Sequence, residues 1–317
     1  MKTTIYSSKY KNKNSIVVES AKLRAEFLPN PGGKMVSLIN KGTGYEILLQ
    51  RNTEPHSTET YLDQSFDGVY TDGECSGYDD MFPTIDVCNY ESEPWKGIKM
   101  ADHGEVWSLP WEHKLNTNSL HMSVNGVRFP YQLEKSISFI KEDTIRIDFT
   151  LTNKSPFDFE FLWAGHLMIN LEEGTKVLVP DDCKQMTTIL SMGKRKFGDI
   201  HTWPYLNDPD GNSYRADIAR PAEVKGFEKY YFLNKLKDGW CELKYPDNKN
   251  KLRLSFPADT VPYLGLLMNE KGWDDMYQII IEPCTILYDR PDVAKKYGQV
   301  SKVKANGKYK WYLELSV

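Results

Sequence analysis

The chain has 317 residues, of which 40% are hydrophobic, 26% charged and 13% aromatic. That supplies ample apolar material for a core and excludes disordered, collagen-like and coiled-coil chains. A net charge of −4 gives no basic surplus for nucleic acid, and no apolar run approaches the roughly 18 residues of a membrane helix.

The first residues, MKTTIYSSKYKNKNS, contain no apolar stretch, so a secretory signal is not expected. Leu23, Ala25 and Phe27 then alternate with Lys22, Arg24 and Glu26. This period of two marks a half-buried strand. Turn residues follow at Asn30-Pro31-Gly32-Gly33 and Gly42-Thr43-Gly44. A long polar, acidic loop is predicted over 52–78, with Asp63, Asp67, Asp72 and Glu74. Ile145, Ile147 and Phe149 alternate with Arg146, Asp148 and Thr150. A second long loop is predicted over 193–220, holding His201, Trp203 and Pro204. Such loops serve as lids or binding rims, or are plain surface excursions. The stretches 240–245 and 251–256 flank Pro246-Asp247-Asn248 and predict a hairpin. One short helix is predicted over 289–297, opened by Pro291 and closed by Gly298. Trp311, Leu313 and Leu315 alternate in a closing strand.

Many strands and few helices predict an all-β protein, a large antiparallel β-sandwich or barrel. Length alone allows two domains of about 150 residues. No linker, repeat or low-complexity run divides the chain, so one domain over 1–317 is expected. Five cysteines lie far apart without a CxxC pair, which predicts free thiols in a reducing cytoplasm and no structural zinc.

No phosphate loop, GxGxxG, HExxH or GxSxG motif occurs. The candidate residues therefore come from local context. His166 is the one ionisable group in the apolar run from Phe161 to Ile169. It is either a satisfied core histidine or a functional one, since burying an imidazole is costly unless it is bonded or used. Glu282 ends the β-branched run Ile279-Ile280-Ile281 just before Pro283. It is either a paired structural charge or a general base. His103 and Glu105 would share a face of a strand, a conceivable start to a metal site without a third ligand nearby. Trp107 and Trp111 beside these polar groups suit a sugar, whose C–H faces stack on indole rings; each is equally a core residue. Tyr78 and Asp80 belong to Gly77-Tyr78-Asp79-Asp80-Met81-Phe82-Pro83, a cluster of acids and aromatics or a plain turn.

Taken in order, these segments resemble the aldose 1-epimerase, or galactose mutarotase-like, family. Leu28-Pro29-Asn30-Pro31-Gly32-Gly33 is similar to its early strand–GG–strand, and Tyr45-Glu46-Ile47-Leu48 to the segment that follows. Gly77 to Pro83 resembles its G-W-x-x-x-F-P element, and His103-Gly104-Glu105-Val106-Trp107 with Pro110-Trp111 its H-G-x-x-x…P-W element. Trp163-Ala164-Gly165-His166 and Ile281-Glu282-Pro283 fall where the family carries its second histidine and its glutamate. Gly307 to Leu313 resembles its terminal strand. The likeness runs along nearly the whole chain. An Asn-Arg pair that binds sugar in the best-known galactose mutarotases has no counterpart before His103.

The resemblance implies a single β-supersandwich and the interconversion of aldose anomers. It implies His166 as general acid, Glu282 as general base, and His103 as a sugar-binding partner. Tyr78, Asp80 and Trp107 are expected beside the sugar. Near their ordinary proton affinities, a histidine would donate and a glutamate would be ionised at neutral pH. No metal or cofactor is expected, and the partner is a monosaccharide or sugar derivative, with no nucleic acid or membrane. The chain is expected as a monomer or homodimer. Three other readings remain: a sugar-binding protein without turnover, an epimerase of phosphorylated sugars using Lys96, Lys99, Arg215 or Arg220, and a module of a polysaccharide-degrading enzyme.

Overall fold

The structure is a computed structural model that describes residues 2–53 and 55–317. Met1, in the predicted N-terminal segment, and Glu54, in the predicted 52–78 loop, lie outside the described residues.

Alternation in the sequence becomes alternation in burial. Along Thr144–Asn153, Ile145, Ile147, Phe149 and Leu151 are buried while Arg146, Asp148, Thr150 and Thr152 reach toward solvent. Each such apolar side chain contributes about 1.5–3 kcal/mol by leaving water. The predicted hairpin is present as Gly239–Lys244 paired with Lys251–Phe256. It joins an eight-stranded antiparallel sheet with Lys308–Ser316, Thr144–Asn153, Tyr131–Lys141 and Ser119–Asn125.

A twelve-stranded sheet packs against it. From one edge it runs Thr4–Tyr10, Lys13–Glu19, Leu23–Leu28, Lys34–Asn40, Tyr78–Met81 and Ala164–Asn170. It continues through Tyr277–Cys284, Tyr263–Glu270, Gly226–Phe232, Gln185–Ser191 and Ile200–Thr202, and Tyr45–Glu46 pairs beside Lys34–Asn40 as the twelfth strand. One cluster of buried side chains, including Phe27, Leu167, Leu266 and Ile281 from this sheet and Ile137, Ile147, Leu254 and Leu313 from the other, fills the space between them. The architecture is the all-β sandwich expected from the strand pattern.

The middle of the large sheet is buried on both faces. Tyr263–Glu270 is buried at every position, as is nearly all of Tyr277–Cys284. Such strands lose their polar alternation because water touches neither side. The face away from the smaller sheet is covered by Leu49, Tyr70, Ile85, Trp107, Ile286 and Leu287. The helix forms over Pro291–Lys296, with Gly298 at φ +68° beyond it. The predicted loop 193–220 instead folds back as three short strands, at Ile200–Thr202, Tyr205–Asn207 and Ser213–Arg215. No helix among the described residues is long and apolar enough to cross a membrane.

Candidate functional site

Strand parity decides which side chains meet on the covered face of the large sheet. Successive residues of a strand point to opposite faces. In Tyr277–Cys284, Ile279 and Ile281 enter the core between the sheets, while Gln278, Ile280 and Glu282 turn the other way. In Gly226–Phe232 it is Phe227 and Lys229 that do so, and in Ala164–Asn170 it is His166. Together with Tyr70, His103 and Asp289 from the covering loops, they line a cavity of about 430 Å³.

His166 and Glu282 stand on neighbouring strands. The register that sets Ala164 against Cys284 and Leu167 against Ile281 brings them face to face. His166 Nε2 lies 3.7 Å from Glu282 Oε1. His166 Nδ1 has no hydrogen-bond partner. Burial, reinforced by the nearby His103, Lys229 and Lys34, holds the imidazole well below its ordinary proton affinity. Burial also pushes the Glu282 carboxyl up, with Lys229 pulling it back and the charge of Asp289 adding to the rise. Both groups are thus driven toward their neutral forms, which corrects the expectation of ordinary values: the low-dielectric surroundings outweigh the attraction between them.

Lys229 is the cation of the site. Its Nζ lies 2.8 Å from Glu282 Oε2 and 3.1 Å from Oε1, and 2.8 Å from Asp289 Oδ1. The Tyr231 hydroxyl donates to the same two carboxyl groups, at 3.2 Å to Glu282 and 2.9 Å to Asp289. Burial works against the ammonium, but Asp289 and Glu282 together raise its proton affinity above the ordinary value. Gly265 makes this packing possible. It pairs directly with Glu282, and a Cβ there would lie 3.1 Å from Glu282 Oε2 and 2.8 Å from the Tyr231 ring.

His103 comes from a turn, not a strand, with φ +57° followed by Gly104 at +78°. A Cβ at Gly104 would meet the Phe82 carbonyl oxygen at 2.0 Å. This turn corrects the expectation that His103 and Glu105 share a face. His103 enters the cavity, stacked on Tyr70 at 4.4 Å between ring centroids and edge-on to His166 at 5.5 Å. Its Nδ1 lies 3.0 Å from Asp102 Oδ1, without the alignment of a hydrogen bond. Glu105 is buried elsewhere and accepts bonds from the Tyr131 hydroxyl and the Val127 N–H. Behind Tyr70, its hydroxyl donates to Asp79 Oδ2, which also receives Lys34 Nζ at 2.8 Å.

Three of the six expected site residues, His166, Glu282 and His103, line the cavity. Tyr78 and Asp80 do not, and the expectation that they touch a sugar is corrected by strand parity. In Tyr78–Met81 it is Asp79 that lies on the site's face. Asp80 points between the sheets, where it accepts bonds from Lys135 at 2.7 Å, the Tyr78 hydroxyl at 2.6 Å and Trp163 Nε1 at 3.0 Å. Trp107 is also corrected: it is buried behind the site, and its Nε1 donates to the carbonyls of Asp102 and Gly104. It braces the turn that carries His103. His201 accepts a bond from the Asn207 N–H and sits 2.9 Å from the Thr188 hydroxyl, outside the cavity. Sequence reasoning missed Lys229, Tyr231, Gly265 and Asp289. Lys229 carried one available signal: with Glu228 it is one of two charged residues set between Phe227 and the run Tyr230-Tyr231-Phe232.

No protein-family model and no curated protein matches the chain. Solved structures do. A galactose mutarotase-like protein from Lactobacillus casei superposes with a TM-score of 0.68 at 15% identity, over 95% of this chain and 99% of that one. A galactose mutarotase related enzyme from Lactobacillus acidophilus gives 0.64 at 14%, over 99% and 97%. A galactose mutarotase-like protein from Clostridium acetobutylicum gives 0.63 at 13%, over 99% and 98%. The fold is therefore that of the galactose mutarotase-like proteins. At these identities the likeness fixes the architecture, and function has to be argued from the site.

Proposed function

We propose that the protein is an aldose 1-epimerase that interconverts the anomers of a free aldose by ring opening and closure. The observation that carries this reading is the placement of His166 Nε2 and Glu282 Oε1 3.7 Å apart in one buried cavity. Anomer exchange breaks the C1–O5 bond: the anomeric hydroxyl loses a proton and the ring oxygen gains one. Both oxygens are bonded to C1, so an acid and a base standing side by side suit them. Once Glu282 has passed its proton to His166, Glu282 takes the C1 hydroxyl proton and His166 delivers one to O5. The aldehyde turns about C1–C2, and reclosure runs the transfers backward. Burial lowers the imidazole and raises the carboxyl, opposite shifts that suit a pair which must exchange roles within one turnover. Lys229 and Tyr231 hold the carboxylate when Glu282 has given up its proton. His103, at the wall facing His166, is placed to bond a sugar hydroxyl.

An uncharged sugar fits better than a phosphorylated one. Among the described residues that line the cavity, Lys229 is the one lysine or arginine, and it is already shared by two carboxylates. Lys96 and Lys99 are exposed and line no part of it, Arg215 pairs with Asp217, and Arg220 with Glu270.

Anomer exchange measured by magnetisation-transfer NMR, over a panel of free aldoses and their 6-phosphates, tests the proposal. Wild type should accelerate exchange of a free aldose, and Glu282→Gln or His166→Ala should lose at least about a hundredfold. Near-full activity in either folded variant overturns the assignment. One observation favours a second reading, a sugar-binding protein without turnover: both oxygens of Glu282 already accept bonds from Lys229 or Tyr231. Saturable sugar binding without any acceleration of exchange would identify it.

A further inference from the structure

The cavity extends well beyond the acid–base pair. Glu282 and Gln278 both line it, four residues apart on one face of one strand. At about 3.3 Å per residue, they stand about 13 Å apart. A single pyranose seated at His166 and Glu282 covers only part of that run.

The two ends differ in chemistry. Around His166, Glu282, Lys229 and Asp289 the ionisable groups of the cavity are gathered, with Ile85 and the Tyr70 ring beside them. Toward Gln278 the walls are Phe227, Leu267, Trp273 and Ile280, with Leu190 and Met192 at the mouth. Leu190 is 48% and Met192 61% exposed, apolar surface left uncovered where the cavity opens. Among the described residues that line this end, Gln278 supplies the one side-chain amide; that of its neighbour Asn269 is taken up by the Trp273 backbone. Gln278 is 1% exposed, its Oε1 has no hydrogen-bond partner, and its Nε2 meets only the Met276 sulfur at 3.7 Å.

From this division we infer that the site takes an aldose bearing an apolar acyl or aryl substituent on the side of the sugar remote from its anomeric carbon. The inference rests on the proposed orientation, with C1 at Glu282. A second sugar unit in the same place is disfavoured by hydrogen bonding. It would bring several hydroxyls against one amide, and each one buried without a partner loses its hydrogen bonds to water with no replacement. An apolar group instead gains from every contact with Phe227, Trp273, Leu267 and Met192. The unpartnered Gln278 amide meets the single polar atom that links the group to the ring.

The test compares glucose, its 4-O-benzyl and 6-O-benzyl ethers, and maltose, which carries a polar ring at the same position as the first ether. The matching galactose series is run in parallel. Binding is measured by calorimetry on wild type, Trp273→Ala and Met192→Ser, and anomer exchange by NMR on the same samples. At least one benzyl ether should bind about tenfold or more tighter than its parent and than the disaccharide, as burial of an aromatic ring requires, and the margin should fall below about threefold in either variant. Met192→Ser changes an exposed side chain, so it reports even if Trp273→Ala fails to fold. Benzyl ethers that bind no better than the parent sugar, a preference for the disaccharide, or a margin unchanged in Met192→Ser would overturn the inference. Absence of exchange for every sugar would overturn the epimerase reading alone, because the binding ratio still decides this one.

Discussion

Gly265 stands directly across from Glu282 in the antiparallel register, and the space a Cβ would need is taken by the Tyr231 ring. The glycine keeps its place through this contact. Gly265→Ala forces the ring or the carboxyl to move in a fully buried layer. Overpacking of this kind costs about 1–3 kcal/mol. Urea unfolding should show that loss, and anomer exchange should fall with it because the Tyr231–Glu282 bond is displaced. Wild-type stability together with wild-type exchange would mean that the layer yields without strain.

Lys229 stabilises two buried carboxylates at once. Replacing it by an apolar residue leaves both without their counter-ion, and breaking a buried pair in this way costs about 3–5 kcal/mol. The same change removes the group that lowers the proton affinity of Glu282. In Lys229→Met the Glu282 carboxyl should therefore rise further, and the acid limb of the exchange-rate profile should move to higher pH. A limb that stays in place, in a variant shown to be folded, would disconnect Lys229 from the ionisation of Glu282.

The His166 imidazole has a lowered proton affinity in the folded chain. The unfolded chain, with an ordinary value of about 6.5, takes up a proton that the folded chain refuses. Stability from this group is present above about pH 6.5 and is lost as pH falls below it. Glu282, raised by burial, has the opposite sign: its stability is full below its unfolded value of about 4.3 and is lost as pH rises through the folded one. The two slopes overlap, so the informative quantity is the difference in unfolding free energy between wild type and His166→Gln. It should grow as pH rises toward 6.5 and level off above. A difference that shrinks over that interval would reverse the assigned direction.

Asp80 and Lys135 form a pair buried between the sheets, with 0% and 1% side-chain exposure. Removing one partner, as in Asp80→Ala, should cost about 3–5 kcal/mol, whereas Asp80→Leu with Lys135→Met should recover the part due to the unpaired charge, leaving the Tyr78 hydroxyl and Trp163 N–H without their acceptor. Sugar affinity and exchange in the folded double variant should match wild type, since neither side chain lines the cavity. A selective loss of sugar binding there would return Asp80 to the site.

Much of this molecule was legible in the sequence because half-buried strands impose a period of two on the chain. The alternation at Ile145, Ile147 and Phe149 and the hairpin of Gly239–Lys244 with Lys251–Phe256 appear where the pattern placed them. Pro291 opens the one α-helix among the described residues, as expected. His166 and Glu282 stood out because an ionisable group in an apolar run must be paired or used.

The tertiary structure alone decided the rest. A strand buried on both faces shows no alternation, so its sequence does not say which residues face the site. The parity of Tyr78–Met81 sends Asp79 toward the site and Tyr78 and Asp80 away, a one-residue difference fixed by pairing with Ala164–Asn170. Lys229, Gly265 and Glu282 lie on three different strands, and only their register joins them. The sequence by itself determined the strands, the core and the two residues most in need of a purpose. Cross-strand pairing, which acts between segments that carry no local record of one another, determined what those residues meet.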